Sequence, residues 1–221
     1  MLTHGGSVRC GYPVAWNAED HGSAEGTLAT CGHNRVCDLM GGMSTVVYQI
    51  DPAHSAAQFK VRHMMIANVK GEFTKVSGTV TYDPSNPGAG QIQVTVDASS
   101  ISTRDEQRDG HLKSADFFDV ARFPSITFQS NKVVPSGADS FDVVGDLTIH
   151  GVTQQVPLTV EEVTPEAKDP WGNMRRGATA RTKVNRKDFG LHWNVALEAG
   201  GFLVGEEIEI TIDVELIRQA A

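Results

Sequence analysis

Residues 207–216 read EIEITIDVEL. In an extended chain Ile208, Ile210, Ile212, Val214 and Leu216 share one face, and Glu207, Glu209, Thr211, Asp213 and Glu215 share the other. Successive side chains of a strand point to opposite faces, so this stretch is a strand with one face in an apolar core and one in water. A strand of this length needs a partner along both edges. The expected partner on one side is the first strand, either around Ala57–Val61 or along VVYQI (46–50), which would close the sheet.

The same period of two recurs upstream. Ala57, Phe59 and Val61 alternate with Gln58, Lys60 and Arg62; Ile92, Val94 and Val96 with Gln91, Gln93 and Thr95; Ile126 and Phe128 with Thr127 and Gln129. Val76, Val80 and Tyr82 align, as do Phe141, Val143, Leu147 and Ile149, and then Val156, Leu158 and Val160. Ala178, Ala180, Thr182 and Val184 follow, and FGLHWNVAL (189–197) puts Phe189, Leu191, Trp193, Val195 and Leu197 on one face. DPSNPGAG (83–90), PSGAD (135–139) and IHGVTQ (149–154) supply turns. One-faced strands joined by short turns pair antiparallel, and this many require a closed barrel or a two-sheet sandwich. The fold class is all-β.

Residues 100–124, SISTRDEQRDGHLKSADFFDVARFP, break the period. Thr103 with Glu106 three residues later resembles a capping box, so a short helix is expected to start there and to end at Gly110. Leu112, Phe117, Phe118 and Phe123 then carry apolar bulk that belongs at one end of the barrel.

The chain has 221 residues, 40% of them hydrophobic and 21% charged, with a formal net charge of −8. The composition is globular, and an acidic chain gives no electrostatic case for nucleic acid or for an anionic membrane surface. No apolar run approaches the ~20 residues of a membrane-spanning helix, so no stable membrane insertion is expected. Residues 1–42 are glycine-rich and unpatterned, and hold Cys10, Cys31 and Cys37, the only cysteines. They read as a disordered extension, or as sequence before a true start at Met43; residues 43–221 form the domain. No signal peptide is apparent at the N-terminus, so the cytoplasm is the default expectation.

Chemistry-bearing motifs are scarce. His54, His63, His111, His150 and His192 show no zinc-type spacing, and Cys31, His33 and Cys37 do not match a zinc-finger pattern. There is no G-x-S-x-G elbow and no phosphate loop. No catalytic residue, metal site or cofactor is expected. The interior is more informative, because the inward positions mix bulky residues with small ones: Ala57, Gly78, Gly145, Ala178 and Ala180. Alternation is compatible both with a barrel filled by its own side chains and with one that encloses a cavity.

Five blocks, taken together and in order, resemble the YceI-like family: YQIDPAHSAAQFKVRH (48–63), RDGHLKSADFFDVARFPSITFQS (108–130), GDLTIHGVTQQVPL (145–158), RKDFGLHWN (186–194) and GGFLVGEEIEITIDVE (200–215). The resemblance runs from about Val46 to Ile217. It implies an eight-stranded antiparallel, lipocalin-like β-barrel with a short helical insertion and a long internal tunnel. It also implies an isoprenoid or other long-chain lipid ligand, with a phosphate or quinone head, held by a carrier or sequestering protein. The expected cavity lining is Phe59, Val61, Val80, Val94, Phe117, Phe118, Phe128, Phe141, Ala178, Ala180, Phe189, Leu191 and Trp193. Arg104, Arg108 and His111 beside the apolar plug are head-group candidates, against the alternative of an exposed helix face. A homodimer is left open. The competing classes are an enzyme using His63 or His111 with a carboxylate inside the barrel, and a structural protein with a filled core.

Overall fold

A computed structural model of the protein describes residues 45–198 and 200–220. The extension expected over residues 1–42, with its cysteines, lies outside the described residues.

Alternating residues form the strands, and the turns fall at the Gly, Pro, Asn and Asp clusters. β1 (Val46–Ile50) and β2 (Ala56–His63) run in line along one path; β3 (Ala67–Phe73) and β4 (Val76–Tyr82) return along the next; β5 (Gln91–Asp97) and β6 (Ile101–Ser102) make a third. Helix α1 (Glu106–Lys113) follows, then β7 (Ser125–Pro135), β8 (Phe141–Ile149), β9 (Val152–Glu161), the two-residue β10 (Ala167–Lys168), β11 (Met174–Asn185) and β12 (Val204–Arg218). Each path pairs antiparallel with the one before it: β1 with β4 and β2 with β3, β4 with β5 and β3 with β6, then β5–β7, β7–β8, β8–β9, β9–β11 and β11–β12. β12 returns to the first path, closing an eight-stranded barrel. Closure removes the sheet edges that an open sandwich would leave.

Both expected partners of the last strand are used. Tyr48 pairs with Arg218 and Ile50 with Leu216, while Ala57 pairs with Ile212 and Val61 with Ile208. Residues 51–55 bulge out between them. The Asp51 amide donates to the Glu215 carbonyl at 2.8 Å, and the Ser55 hydroxyl accepts from the Glu215 amide at 3.1 Å, so β12 keeps its hydrogen bonds across the gap. The outer faces of β11 and β12 carry charge, with Lys183 against Glu207 and Glu209. A barrel that faced lipid would be apolar there. Among the described residues, no helix is long and apolar enough to cross a membrane.

The end where β2 turns into β3 is here called upper. At this end His150 (φ 51°) and Gly151 (φ 76°) join β8 to β9 with both central residues left-handed, as a tight hairpin requires.

Four local expectations are corrected. The helix is capped by Asp105, whose Oδ1 accepts from the Arg108 amide at 3.0 Å, while Thr103 donates its amide to Asp109 Oδ1 at 2.8 Å instead of capping. The helix continues through Gly110 to Lys113, because the next turn packs Leu112 against the core. FGLHWNVAL is not a strand. Arg186–Phe189 form a 3-10 turn ended by Gly190 (φ 78°), and the buried Arg186 guanidinium takes the carbonyls of Leu191, Trp193 and Gly205 that a ladder would need. Asn194 then pairs with Val204 through its side-chain amide, in place of a backbone ladder. Finally, Gly145 leaves no void: a Cβ there would lie 2.4 Å from Phe128 Cζ, so the glycine makes room for that ring.

Candidate functional site

The inward rows of β1–β5, β7–β9, β11 and β12 enclose a cavity of about 350 Å³, within the roughly 300–1,000 Å³ of small-molecule sites. Twelve of the thirteen lining positions expected from sequence face it; Trp193 does not. Of the five small inward residues read from the sequence, Ala57, Ala178 and Ala180 border open space. Among the described lining residues there is no carboxylate, histidine, lysine or cysteine.

The upper end is filled by the irregular segments. Leu112, Phe117 and Phe118 come from residues 100–124, and Phe189 and Leu191 from the segment before β12. Phe189 is 1% exposed and Phe117 and Leu191 6%. Phe118 meets Phe73 edge-on at 5.5 Å, and Phe73 lies 5.8 Å from Phe59, which ties the plug to the wall. The cavity extends to the lower rim, where the connecting loops contribute Pro87, Gly90, Ala138 and Val163. There Tyr82 and Phe141 meet edge-on at 6.3 Å, and both are only half-buried.

Trp193 is corrected because its strand does not form. Its ring packs instead on His111 (4.6 Å) and Phe117 (5.2 Å), behind the plug. The three upper head-group candidates also lie outside the lining. Arg108 is drawn back onto Thr103, donating from Nε to Oγ1 at 2.7 Å and from Nη2 to the carbonyl at 2.9 Å. His111 Nε2 pairs with Asp116 at 3.0 Å, and Arg104 sits at a left-handed turn (φ 62°) before the helix.

Among the described residues two cations line the cavity, and neither was selected from sequence. Arg186 is 3% exposed and burial lowers its pKa, but its donors are occupied by backbone carbonyls. It fastens the loop before β12. Arg176 stands in the inward row of β11, one step below Ala178, at the lower rim. The signal for it was available in the register: residue 176 has the parity of Ala178 and Ala180. Tyr48 lies beneath it, its hydroxyl donating to Glu166 Oε1 at 2.7 Å. Burial, then this bond to a carboxylate, raises the phenol's pKa.

On the outside of the barrel Asp51, His54 and Glu215 converge closely enough to hold a metal ion. A guanidinium already occupies the position. Arg175 Nη1 reaches Asp51 Oδ2 and Glu215 Oε1, both at 2.7 Å, and its Nε reaches Asp169 Oδ2 at 2.7 Å. The hydrogen bonds from His54 and then Arg175 lower the Asp51 pKa to about 2. The cluster locks the β1–β2 corner to β11 and to the loop before it, and its cation is a side chain.

The YceI-like domain model matches residues 48–216. Protein YceI of Salmonella newport is 36% identical over 182 residues, covering 81% of this chain and 91% of its own. A UPF0312 protein of Vibrio cholerae is 36% identical over 167 residues, covering 75% and 88%. Among solved structures, the YceI protein of Campylobacter jejuni superposes with a TM-score of 0.59 at 29% identity, over 72% of this chain and 90% of that one. BcnA of Burkholderia cenocepacia gives a TM-score of 0.64 at 24% identity, over 75% and 98%. A polyisoprenoid binding domain from Saccharophagus degradans gives 0.58 at 17%, over 78% and 98%. The last two speak to the fold alone. With the family model spanning the barrel from its first strand to its last, this chain belongs to the YceI-like family.

Proposed function

We propose that the protein binds a long apolar ligand of isoprenoid or other lipid type inside the barrel, as a carrier or sequestering protein. The observation that carries this reading is the wall. It is apolar from the Phe117–Phe189 plug to the Tyr82–Phe141 rim, with Ala178 and Ala180 leaving room beside it. Each ligand CH₂ transferred from water into such a wall contributes ~0.8 kcal/mol, so a long chain binds tightly with few polar contacts. The wall residues expected from sequence, Trp193 excepted, are the ligand contacts in this reading. The Saccharophagus degradans domain, described as polyisoprenoid binding, shares the barrel fold, and this reading carries its ligand class over as a proposal.

Catalysis within the barrel has no matching support. The enzyme alternative would use His63 or His111 with a carboxylate, and neither those histidines nor any carboxylate is in the described wall, whose titratable side chains are tyrosines and arginines. The His111–Asp116 pair lies outside the lining, against Phe117 and Trp193.

Native mass spectrometry of the purified protein, followed by lipid extraction and rebinding of a prenol to the stripped protein, tests the proposal. A co-purifying apolar lipid, or one-to-one rebinding of the prenol, is the expected result. A bare mass together with no uptake of any long-chain alcohol would overturn it.

A further inference from the structure

We propose that the ligand carries an anionic head group and that Arg176, at the lower rim, receives it. This inference rests on the carrier reading and adds the chemistry of the ligand's polar end.

On β11 the row Arg176, Ala178, Ala180, Thr182, Val184 lines the cavity, while Arg175 and Lys183, of the opposite parity, form ion pairs on the outer side. Arg176 is therefore an arginine in the inward row. Its guanidinium carbon lies 5.7 Å from the ring centroids of both Tyr48 and Tyr82, two aromatic faces that steady a cation without neutralising it. Its Nε donates to the Thr164 carbonyl at 3.1 Å.

The carboxylates around Arg176 stand beyond ion-pair distance of it, and several have other partners. Glu166 accepts from Tyr48 Oη and pairs with Arg218 at 3.3 Å. Asp213 and Glu162 border the outer groove that Arg176 also reaches; Asp213 Oδ1 accepts from Thr179 Oγ1 at 2.9 Å, and Glu162 Oε2 lies 3.3 Å from the same hydroxyl. Asp51, Asp169 and Glu215 belong to Arg175. Among the described residues Arg176 has no ion-pair partner. A half-buried cation at the end of a wall that holds no anion favours a ligand that brings one, and a guanidinium fork suits phosphate or carboxylate oxygens.

The other lining cation does not compete for this role, because Arg186 spends its donors on carbonyls at the opposite end. The polarity of binding follows: head at the rim beside Tyr82, tail running up past Ala178 and Ala180 toward Phe189.

The test uses stripped full-length protein and two matched pairs of probes, farnesyl phosphate with farnesol and palmitate with hexadecanol, titrated at neutral pH and low salt. Within each pair the tail is shared and the charge is not. The parent is expected to prefer the charged member by roughly 10- to 100-fold, the range of one charge-assisted contact in a poorly solvated site. Arg176→Gln should bring the preference close to 1; Arg176→Lys should keep part of it; Arg218→Gln should leave it unchanged. A preference for the phosphate but not the carboxylate, lost in Arg176→Gln, would narrow the head to phosphate. Equal affinity for charged and neutral members in the parent, or an undiminished preference in Arg176→Gln, overturns the inference while the carrier reading stands. If neither member of either pair binds the parent, both fall together. Should Arg176→Gln fold poorly, Arg176→Lys and the parent's own ratio at raised salt still decide the matter.

Discussion

Ala180→Leu and Gly145→Ala each add apolar bulk to an inward position, and opposite outcomes are expected. Ala180 borders open space in the cavity wall, paired with Ile212 on one side and Val160 on the other. The leucine projects about three extra carbons into space that the ligand would fill. At ~0.8 kcal/mol for each displaced CH₂ the loss is ~2.4 kcal/mol of binding, or about 50-fold in Kd. The stripped protein should melt at or above the parent's temperature, because the new methyls cover apolar wall instead of overlapping it. At Gly145 a single added carbon would lie 2.4 Å from Phe128 Cζ and 2.5 Å from the Gln129 carbonyl oxygen. Such overpacking costs ~1–3 kcal/mol of stability, about 2–4 °C of melting temperature per kcal/mol in a domain of this size. Calorimetry of the stripped proteins and titration with a prenol series of increasing length measure both effects. If Ala180→Leu binds prenols as the parent does, or melts as low as Gly145→Ala, the space beside β11 is ordinary core and the tunnel argument fails.

Arg175→Met strands Asp51, Asp169 and Glu215 around a side chain only 18% exposed. Removing the cation leaves three carboxylates facing one another, so urea denaturation should show a lower midpoint for the variant; an unchanged midpoint would mean that water already screens the cluster. The Asp51 carboxyl, lowered to about 2 in the fold, contributes stability that is complete above its unfolded pKa near 4 and fades as pH falls toward 2. The parent should therefore destabilise over that window, and Arg175→Met less steeply; parallel acid profiles would contradict the assignment. Trp193→Phe should remove fluorescence that reports the plug and leave prenol affinity within about twofold, because the ring packs on His111 and Phe117 outside the lining; a tenfold loss of affinity would return Trp193 to the wall.

The sheet was legible because its signal is local. A period of two survives wherever one face is buried, and Ile208–Leu216, Phe141–Ile149 and Ala178–Val184 all lie in strands. FGLHWNVAL carries the same period and is not a strand, and the reason is not local. Arg186, three residues before it, folds back to take the carbonyls of Leu191 and Trp193, and Asn194 takes the ladder place opposite Val204. Alternation reports which side chains share a face in an extended chain; it cannot report that a buried guanidinium has claimed the backbone. The helix start was misplaced for a similar reason: both Thr103 and Asp105 have capping chemistry, and Asp109 reaching back to the Thr103 amide leaves the cap to Asp105.

The candidate site was legible as a face and not as a space. Gly145, Ala178 and Ala180 look alike in sequence, small residues in inward rows, yet the first sits under the Phe128 ring and the other two border the cavity. What separates them is the residue across the ladder or across the barrel, and that is set only on closure, when β12 joins β11 to the first strand path. The same closure gives Arg176 its meaning. In sequence it is one of two adjacent arginines, RR at 175–176, which would ordinarily read as a solvated pair. The strand sends them to opposite sides of the wall: Arg175 meets three carboxylates outside, and Arg176 meets two tyrosine rings and none inside. A pair of like residues divided in this way, one neutralised and one not, locates the polar end of an otherwise apolar tunnel.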